Sequence, residues 1–177
     1  MAKKLDLKIK VDENNLTKTF GKFVIQPMDR GYGITIGNAL RRVLLTCIPG
    51  AAITNAKFDD VLHEFSSIEG VQDDVSDIIQ NLKGVRFKLE DNDPEKISIK
   101  LKGPCKFTAN DIQKASNEFK VLKKAHYITE INEGTTFNIE IKIGVGKGYM
   151  PSESNELPNA PLGTIAIDSI YLSLIHI

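Results

Sequence analysis

Residues 30–50 read RGYGITIGNALRRVLLTCIPG. Ile36, Leu40, Val43, Leu44 and Cys47 stand at i, i+4, i+7, i+8 and i+11, the spacing that puts apolar side chains on one face of an α-helix. Arg30 and Gly31 suit the turn into this helix, Thr35 suits its cap, and Pro49-Gly50 stops it. At ~100° per residue, Leu45 points about 180° away from Ile36, with Asn38 beside it and Arg41 and Arg42 on its flanks. That opposite face reads in two ways. It is a solvated face with one stray leucine, or a second contact surface, because binding hot spots combine an apolar anchor with arginine.

Toward the N-terminus, Leu5, Leu7, Ile9 and Val11 alternate with polar residues, the period of a half-buried strand. A polar turn at Asp12–Asn15 and a second strand from about Thr17 to Ile25 complete a β-hairpin before Pro27. Beyond the helix, strands are predicted at Ile53–Phe58 and Val61–Phe65. The stretch SSIEGVQDDVSDIIQNLKG (66–84) repeats the helical spacing with Val71, Val75, Ile78, Ile79 and Leu82. Gly84 suits the position after its end and Lys83 complements its C-terminus, while Asp73, Asp74, Asp77 and Gln80 form a solvated outer face.

Further alternating runs fall at Val85/Phe87/Leu89, Ile97/Ile99/Leu101 and Phe137/Ile139/Ile141/Ile143, with a turn at Asp91–Pro94 between the first two. Pro151–Pro161 is a polar, proline-rich loop, and residues 163–177 (GTIAIDSIYLSLIHI) are strand-like and abruptly apolar. An unpaired apolar strand at a chain end is an edge liability, so this end is expected not to be a natural terminus. The sum is an α+β chain with two helices and about nine strands.

The 177 residues suffice for one good domain or two small ones, and 41% hydrophobic with 26% charged residues excludes disordered and collagen-like classes. Lysine plus arginine equals aspartate plus glutamate at 23 each, so the formal net charge is zero. A chain that binds nucleic acid by its own field leans basic. The absence of tryptophan and the 7% aromatic content provide no stacking platform. Only four of the basic residues are arginines: Arg30, Arg41, Arg42 and Arg86. Cys47 and Cys105 make neither a disulfide framework nor a four-ligand zinc site. No signal peptide and no run of ~18 apolar residues is present, which predicts a soluble chain in a reducing, cytoplasmic compartment. The Asn15-Leu16-Thr17 sequon is then a chance match.

Catalytic motifs are sparse. GVGKG at 144–148 follows a strand, but Lys147 precedes Gly148 instead of Ser or Thr, and Pro151 stands where a helix should begin, so a phosphate loop fails there. His63-Glu64 lacks the second histidine of a zinc protease, and His63, His126 and His176 are far from one another in sequence. Ser66-Ser67 has no flanking nucleophile-elbow glycines. Asp73, Asp74 and Asp77 share one helix face that suits a hard cation, although a charged surface is the commoner reason for such a face. An enzyme built on these residues would show them in a closed cleft. A nucleic-acid-binding module would show a continuous lysine and arginine stripe.

Taken together, PMDRGYGITIGNALRRVLLTCIPGAAIT (27–54), VLHEFSSIEGVQDDVSDIIQNLKGV (61–85), GKGYMPSE (146–153) and PLGTIAIDSIY (161–171) resemble the α subunit of bacterial DNA-directed RNA polymerase. The resemblance covers nearly the whole chain and is weakest around 91–135. It implies a two-subdomain amino-terminal domain: a dimerisation subdomain from 1–50 plus 168–177, and an inserted, mainly-β subdomain at 51–167 that contacts the large subunits. It implies a non-catalytic assembly scaffold that forms a homodimer and recruits the β subunit and then β′, with no cofactor, no metal and no catalytic residue of its own. Carried over by position, the β-contacting residues are Arg42, Leu45, Lys83, Ile167 and Asp168. Dimerisation is placed on Ile36, Leu40, Val43 and Leu44, which also serve the core. After Tyr171 the pattern departs: Leu172–Ile177 does not fit, and the family's long dimerisation helix and DNA-binding domain are not in this sequence. The chain is therefore expected to be a truncated fragment with an unrelated tail, making no promoter contact.

Overall fold

A computed structural model describes residues 7–17, 20–89 and 95–171. The chain divides into two compact units, Met1–Leu44 and Leu45–Ile177. In the first, β1 (Lys8–Val11) and β2 (Phe23–Gln26) pair antiparallel, Lys8 opposite Gln26 and Val11 opposite Phe23. This is the predicted hairpin, with a 3-10 turn at Glu13–Asn15; Leu5, and Lys18 and Thr19 of the second predicted strand, lie outside the described residues. Helix α1 (Tyr32–Cys47) follows and crosses the boundary between the units. Gly31, at φ +90°, takes the left-handed conformation that only glycine adopts without strain, and so makes the turn into it. Thr35 lies inside the helix instead of capping it, because the helix begins at Tyr32.

The second unit continues with β3 (Pro49–Phe58), α2 (Val75–Lys83), β4 (Phe87–Leu89), β5 (Glu95–Lys102), β6 (Cys105–Thr108), α3 (Ala109–Ala115), β7 (Phe119–Val121), β8 (Tyr127–Ile131), β9 (Thr136–Lys147), β10 (Tyr149–Met150), β11 (Thr164–Ala166) and β12 (Ser169–Ile170). The predicted α+β class holds, with three helices and twelve strands among the described residues instead of two and about nine. The main sheet runs β5-β9-β3-β4-β7, with β11 paired to β3, and every pairing is antiparallel. Separate two-stranded ladders join β6 to β8 and β10 to β12.

Phe137, Ile139, Ile141 and Ile143 of β9 are buried while the residues between them are half-buried, so the period-two pattern is the wall of the core. Ile97 and Ile99 join them from β5, Phe58 from β3, and Val75, Ile78, Ile79 and Leu82 from α2. Phe137 stands 6.0 Å from Phe58 and 5.8 Å from Phe107, centroid to centroid, and Phe87 meets Phe119 edge-on at 5.4 Å. Each such side chain, fully buried, contributes about 1.5–3 kcal/mol of transfer free energy.

Two elements differ from expectation. Val61–Phe65 is not a strand: the chain turns at Asp59-Asp60, Asp60 adopts φ +59°, and Leu62 and Phe65 emerge exposed. Val71 precedes the second helix and bridges Ile131, because Gly70 at φ +77° reverses the chain there. The predicted turn at Asp91–Pro94 and the tail Leu172–Ile177 lie outside the described residues.

Candidate functional site

Helix α2 presents Val75, Ile78, Ile79 and Leu82 to the core, and Asn81 secures its last turn. Asn81 Nδ2 donates to the Ile128 carbonyl at 2.8 Å, and His126 Nε2 bonds the Asn81 carbonyl at 2.8 Å. Gly84 ends the helix with right-handed φ −76°, not the left-handed conformation that its position suggested. Its reason is space, since a Cβ there would stand 2.7 Å from His126 Nε2. Arg86 satisfies the helix end by donating from Nη1 to the Lys83 carbonyl at 2.7 Å. Lys83 is thereby released from that duty. Its Nζ stands 3.0 Å from Asp168 Oδ2, with both side chains partly sheltered.

Asp168 lies in the turn between β11 and β12, held from several directions. Its Oδ1 accepts the Ser152 backbone N–H at 3.1 Å. The hydrogen bond from Lys83 is the main reason its carboxyl is held below the usual carboxylate range; partial burial opposes this, and the Lys83 charge and the Ser152 bond reinforce it. Beside it, Ile167 is buried at 1% exposure and its N–H donates to the Thr54 carbonyl at 2.8 Å.

A buried polar network fixes this turn to β3. Asn155 Nδ2 donates to the Ile167 carbonyl at 2.7 Å and to Ser169 Oγ at 3.0 Å, and Ser169 Oγ donates to the Ile53 carbonyl at 2.9 Å. Asn55 Nδ2 donates to the Asn155 carbonyl at 2.9 Å, and Thr54 Oγ1 donates to Asn55 Oδ1 at 2.9 Å. Buried polar groups of this kind are stabilising only when satisfied, so the network specifies one geometry for the loop and the turn. Sequence reasoning missed Asn55, Asn155 and Ser169, which carry no spacing signal.

The glycine run that fails as a phosphate loop has a packing role instead. Gly146 lies opposite Gly50 in the β3–β9 register. A Cβ on Gly146 would collide with the Tyr171 ring, and one on Gly50 with the Tyr171 carbonyl. Gly144 leaves room for Thr54 Cγ2, 2.7 Å from where its Cβ would be. Tyr171, buried, fills the space.

The structure thus brings Lys83, Ile167 and Asp168 together. On α1, no residue is buried: Arg42 is exposed, Leu45 and Ile36 are half-buried, and Leu40, Val43 and Leu44 are 49%, 52% and 43% exposed. The expectation that the apolar stripe serves the core is corrected for these residues, because Leu40, Val43 and Leu44 remain about half exposed among the described residues. His63 Nδ1 and Ser66 Oγ share a 3.1 Å hydrogen bond in an exposed loop, and Asp73 Oδ2 accepts the Tyr127 hydroxyl at 2.8 Å. Glu64, Asp74 and Asp77 are exposed, so these groups are not gathered in a closed cleft. Among the described residues no three His, Cys, Asp or Glu are grouped to hold a metal ion, and no helix is long and apolar enough to cross a membrane.

Residues 52–172, which begin within β3 and take in the Lys83–Asp168 pair and its network, match a family model described as the RNA polymerase Rpb3/RpoA insert domain. The chain belongs to this family. Among curated relatives it is similar to proteins named DNA-directed RNA polymerase subunit alpha. That of Chlorobium luteolum is 52% identical over 164 residues, 93% of this chain and 50% of the relative. Those of Chlorobaculum tepidum (52%) and Chloroherpeton thalassium (47%) cover the same shares. The chain spans about half the length of the curated relatives it matches. The insert-domain family is thus placed on the second unit, where the described core and the buried polar network lie.

Proposed function

We propose that this chain is the assembly-scaffold part of an α subunit of a cytoplasmic DNA-directed RNA polymerase. Residues 1–50 with 168–177 serve dimerisation and 51–167 form the inserted subdomain. The observation that carries this reading is 52% identity to a protein of that name over 93% of the chain. The uncovered apolar stripe of α1 supports it physically. Exposed Leu40, Val43 and Leu44 together with Ile36 suit burial against a second copy, since contiguous apolar surface of this kind marks an interface.

The β contact is assigned to Arg42, Leu45, Lys83 and Asp168. Leu45 supplies an apolar anchor and Arg42 a planar donor array for a carboxylate or carbonyl of the partner. Lys83 and Asp168 present an oriented pair of opposite charges, which sets register more than affinity. Ile167 acts through its burial, holding the backbone beside Asp168. Nucleotidyl transfer belongs to β and β′, and this chain adds geometry, not chemistry. No cofactor is assigned to it.

Co-expression with a β subunit from a related bacterium tests the reading. We expect the wild-type chain to co-purify with β and Arg42→Ala to lose capture while retaining its circular dichroism spectrum. Failure of a folded wild-type chain to capture β would overturn it.

A further inference from the structure

The antiparallel register gathers lysines on the face of the β5–β9–β3 sheet that points away from the core. Ile97 and Ile99 of β5 face inward, so Lys96, Lys100 and Lys102 face outward and are exposed. On β9, Glu140 and Lys142 alternate with buried Ile139 and Ile141, and on β3 Lys57 lies between buried Ala56 and Phe58. Lys96 stands directly opposite Lys142, a cross-strand pairing of like charges that is unfavourable by itself. Glu140, opposite Lys57, is taken by Lys96 Nζ at 2.7 Å. Among the described residues Lys57, Lys100, Lys102 and Lys142 are in no ion pair. The face carries five lysines against two carboxylates, Glu140 and, at the end of β3, Asp59, whose Oδ2 accepts from Asn138 Nδ2 at 2.6 Å, in a chain of zero net charge.

At one end of this face lies a groove of about 210 Å³, lined by Lys57, Lys96, Lys142, Leu157 and Pro161 among others, together with Glu140, which is paired with Lys96. Its walls are mostly apolar, and it is smaller than the roughly 300 Å³ at which drug-sized ligand sites begin. It suits one apolar side chain, with lysines around the rim.

We infer that this face docks an acidic segment of a protein partner, whose apolar side chain enters the groove under Leu157 and Pro161 while its carboxylates meet Lys57, Lys142, Lys100 and Lys102. Charge complementarity selects an acidic occupant. The apolar groove selects protein over nucleic acid, whose backbone has nothing to place there. None of the four arginines, at 30, 41, 42 and 86, lies on these strands, and their aromatic residues Phe58 and Phe137 point into the core, so the arginine contacts and stacking common at nucleic-acid sites are missing from this face. The inference does not rest on the β-contact assignment, because it uses none of the residues of that surface.

Fluorescence anisotropy on the full chain tests it with three labelled probes: a peptide of Asp-Asp-Leu repeats, one of Asp-Asp-Gly repeats with equal charge, and a twenty-nucleotide oligo-dT. The leucine peptide is expected to bind about tenfold more tightly than the glycine peptide, a difference of about 1.4 kcal/mol. Lys57→Gln with Lys142→Gln should weaken it by at least about tenfold, with Lys124→Gln as a neutral control. Equal affinity for the two peptides, or no effect of the double variant, overturns the proposal. Tighter binding of oligo-dT than of the leucine peptide, through the same two lysines, would make this a nucleic-acid face and overturn it equally.

Discussion

Lys83 and Asp168 are 85 positions apart in sequence and 3.0 Å apart in space. The pair joins the end of α2 to the turn between β11 and β12, two segments that share no local sequence signal. With the two side chains 24% and 33% exposed, its contribution to stability is modest, about 1 kcal/mol or less. Its consequence is positional: a cation and a carboxylate are held in fixed orientation at one surface.

Because the folded state holds Asp168 below its unfolded pKa of ~3.9, its stabilisation is present above that value and is lost as pH falls through the folded one. Asp168→Asn lacks this component. Its urea midpoint should therefore fall less than that of the wild type on acidification below about pH 4. A double-mutant cycle with Lys83→Met should give a coupling of about 0.5 kcal/mol. Zero coupling would mean that the pair is not formed in solution.

Asn155→Ala removes the 2.7 Å donor to the Ile167 carbonyl, leaving only the longer 3.4 Å contact from Ser169 Oγ, and breaks the link between Asn155 and Ser169. The expected loss is about 1–3 kcal/mol in equilibrium unfolding. On the β contact proposed above, capture of β should weaken as well, because the turn bearing Asp168 loosens. Normal stability in the alanine variant would show that water replaces the amide.

Gly146→Ala drives a methyl group into the Tyr171 ring and should cost about 1–3 kcal/mol through overpacking. Pairing it with Tyr171→Leu should recover part of that loss, since the two side chains compete for one space. Strictly additive effects would place Tyr171 elsewhere in solution.

Tyr127 is pushed up to about 12, by partial burial first and then by its hydrogen bond to Asp73. The raised value means that its stabilisation is complete below pH ~10 and is lost as pH rises toward the folded value. Ultraviolet titration should show one late-ionising tyrosine, and Asp73→Asn should bring it down toward the ordinary range. An unchanged titration would refute the contact.

Leu82 is fully buried at the end of α2, and Leu82→Ala should cost about 2–5 kcal/mol. The same change should release Lys83 from Asp168, seen as loss of the Lys83–Asp168 coupling in the Leu82→Ala background. A loss under 1 kcal/mol would show that the end of α2 repacks.

Elements were legible where the apolar period persists over several turns or pairs. Ile36 to Cys47 and Val75 to Leu82 announce α1 and α2, and Phe137 to Ile143 announces β9. Short elements escaped. Helix α3 buries only Ala109 and Ile112, too few for a period, although Thr108 and Asp111 stand at capping-box spacing and do form that box. Burial would raise Asp111, but the bonds from Lys114 and Thr108 outweigh it and lower its pKa. The strands β6, β7 and β8 were missed in the weakly patterned region between 103 and 131.

By itself the sequence determined the α+β class, the two longer helices, the hairpin and the family, because these rest on local periodicity and on continuous strings of residues. Only the tertiary structure decided that Lys83 meets Asp168, that Gly50 and Gly146 exist for Tyr171, and that lysines from three strands share one face. Those relations depend on strand register and on contacts across a hundred or so positions, such as Asn55 with Asn155. A one-dimensional pattern carries the period of an element, not the partner against which it closes.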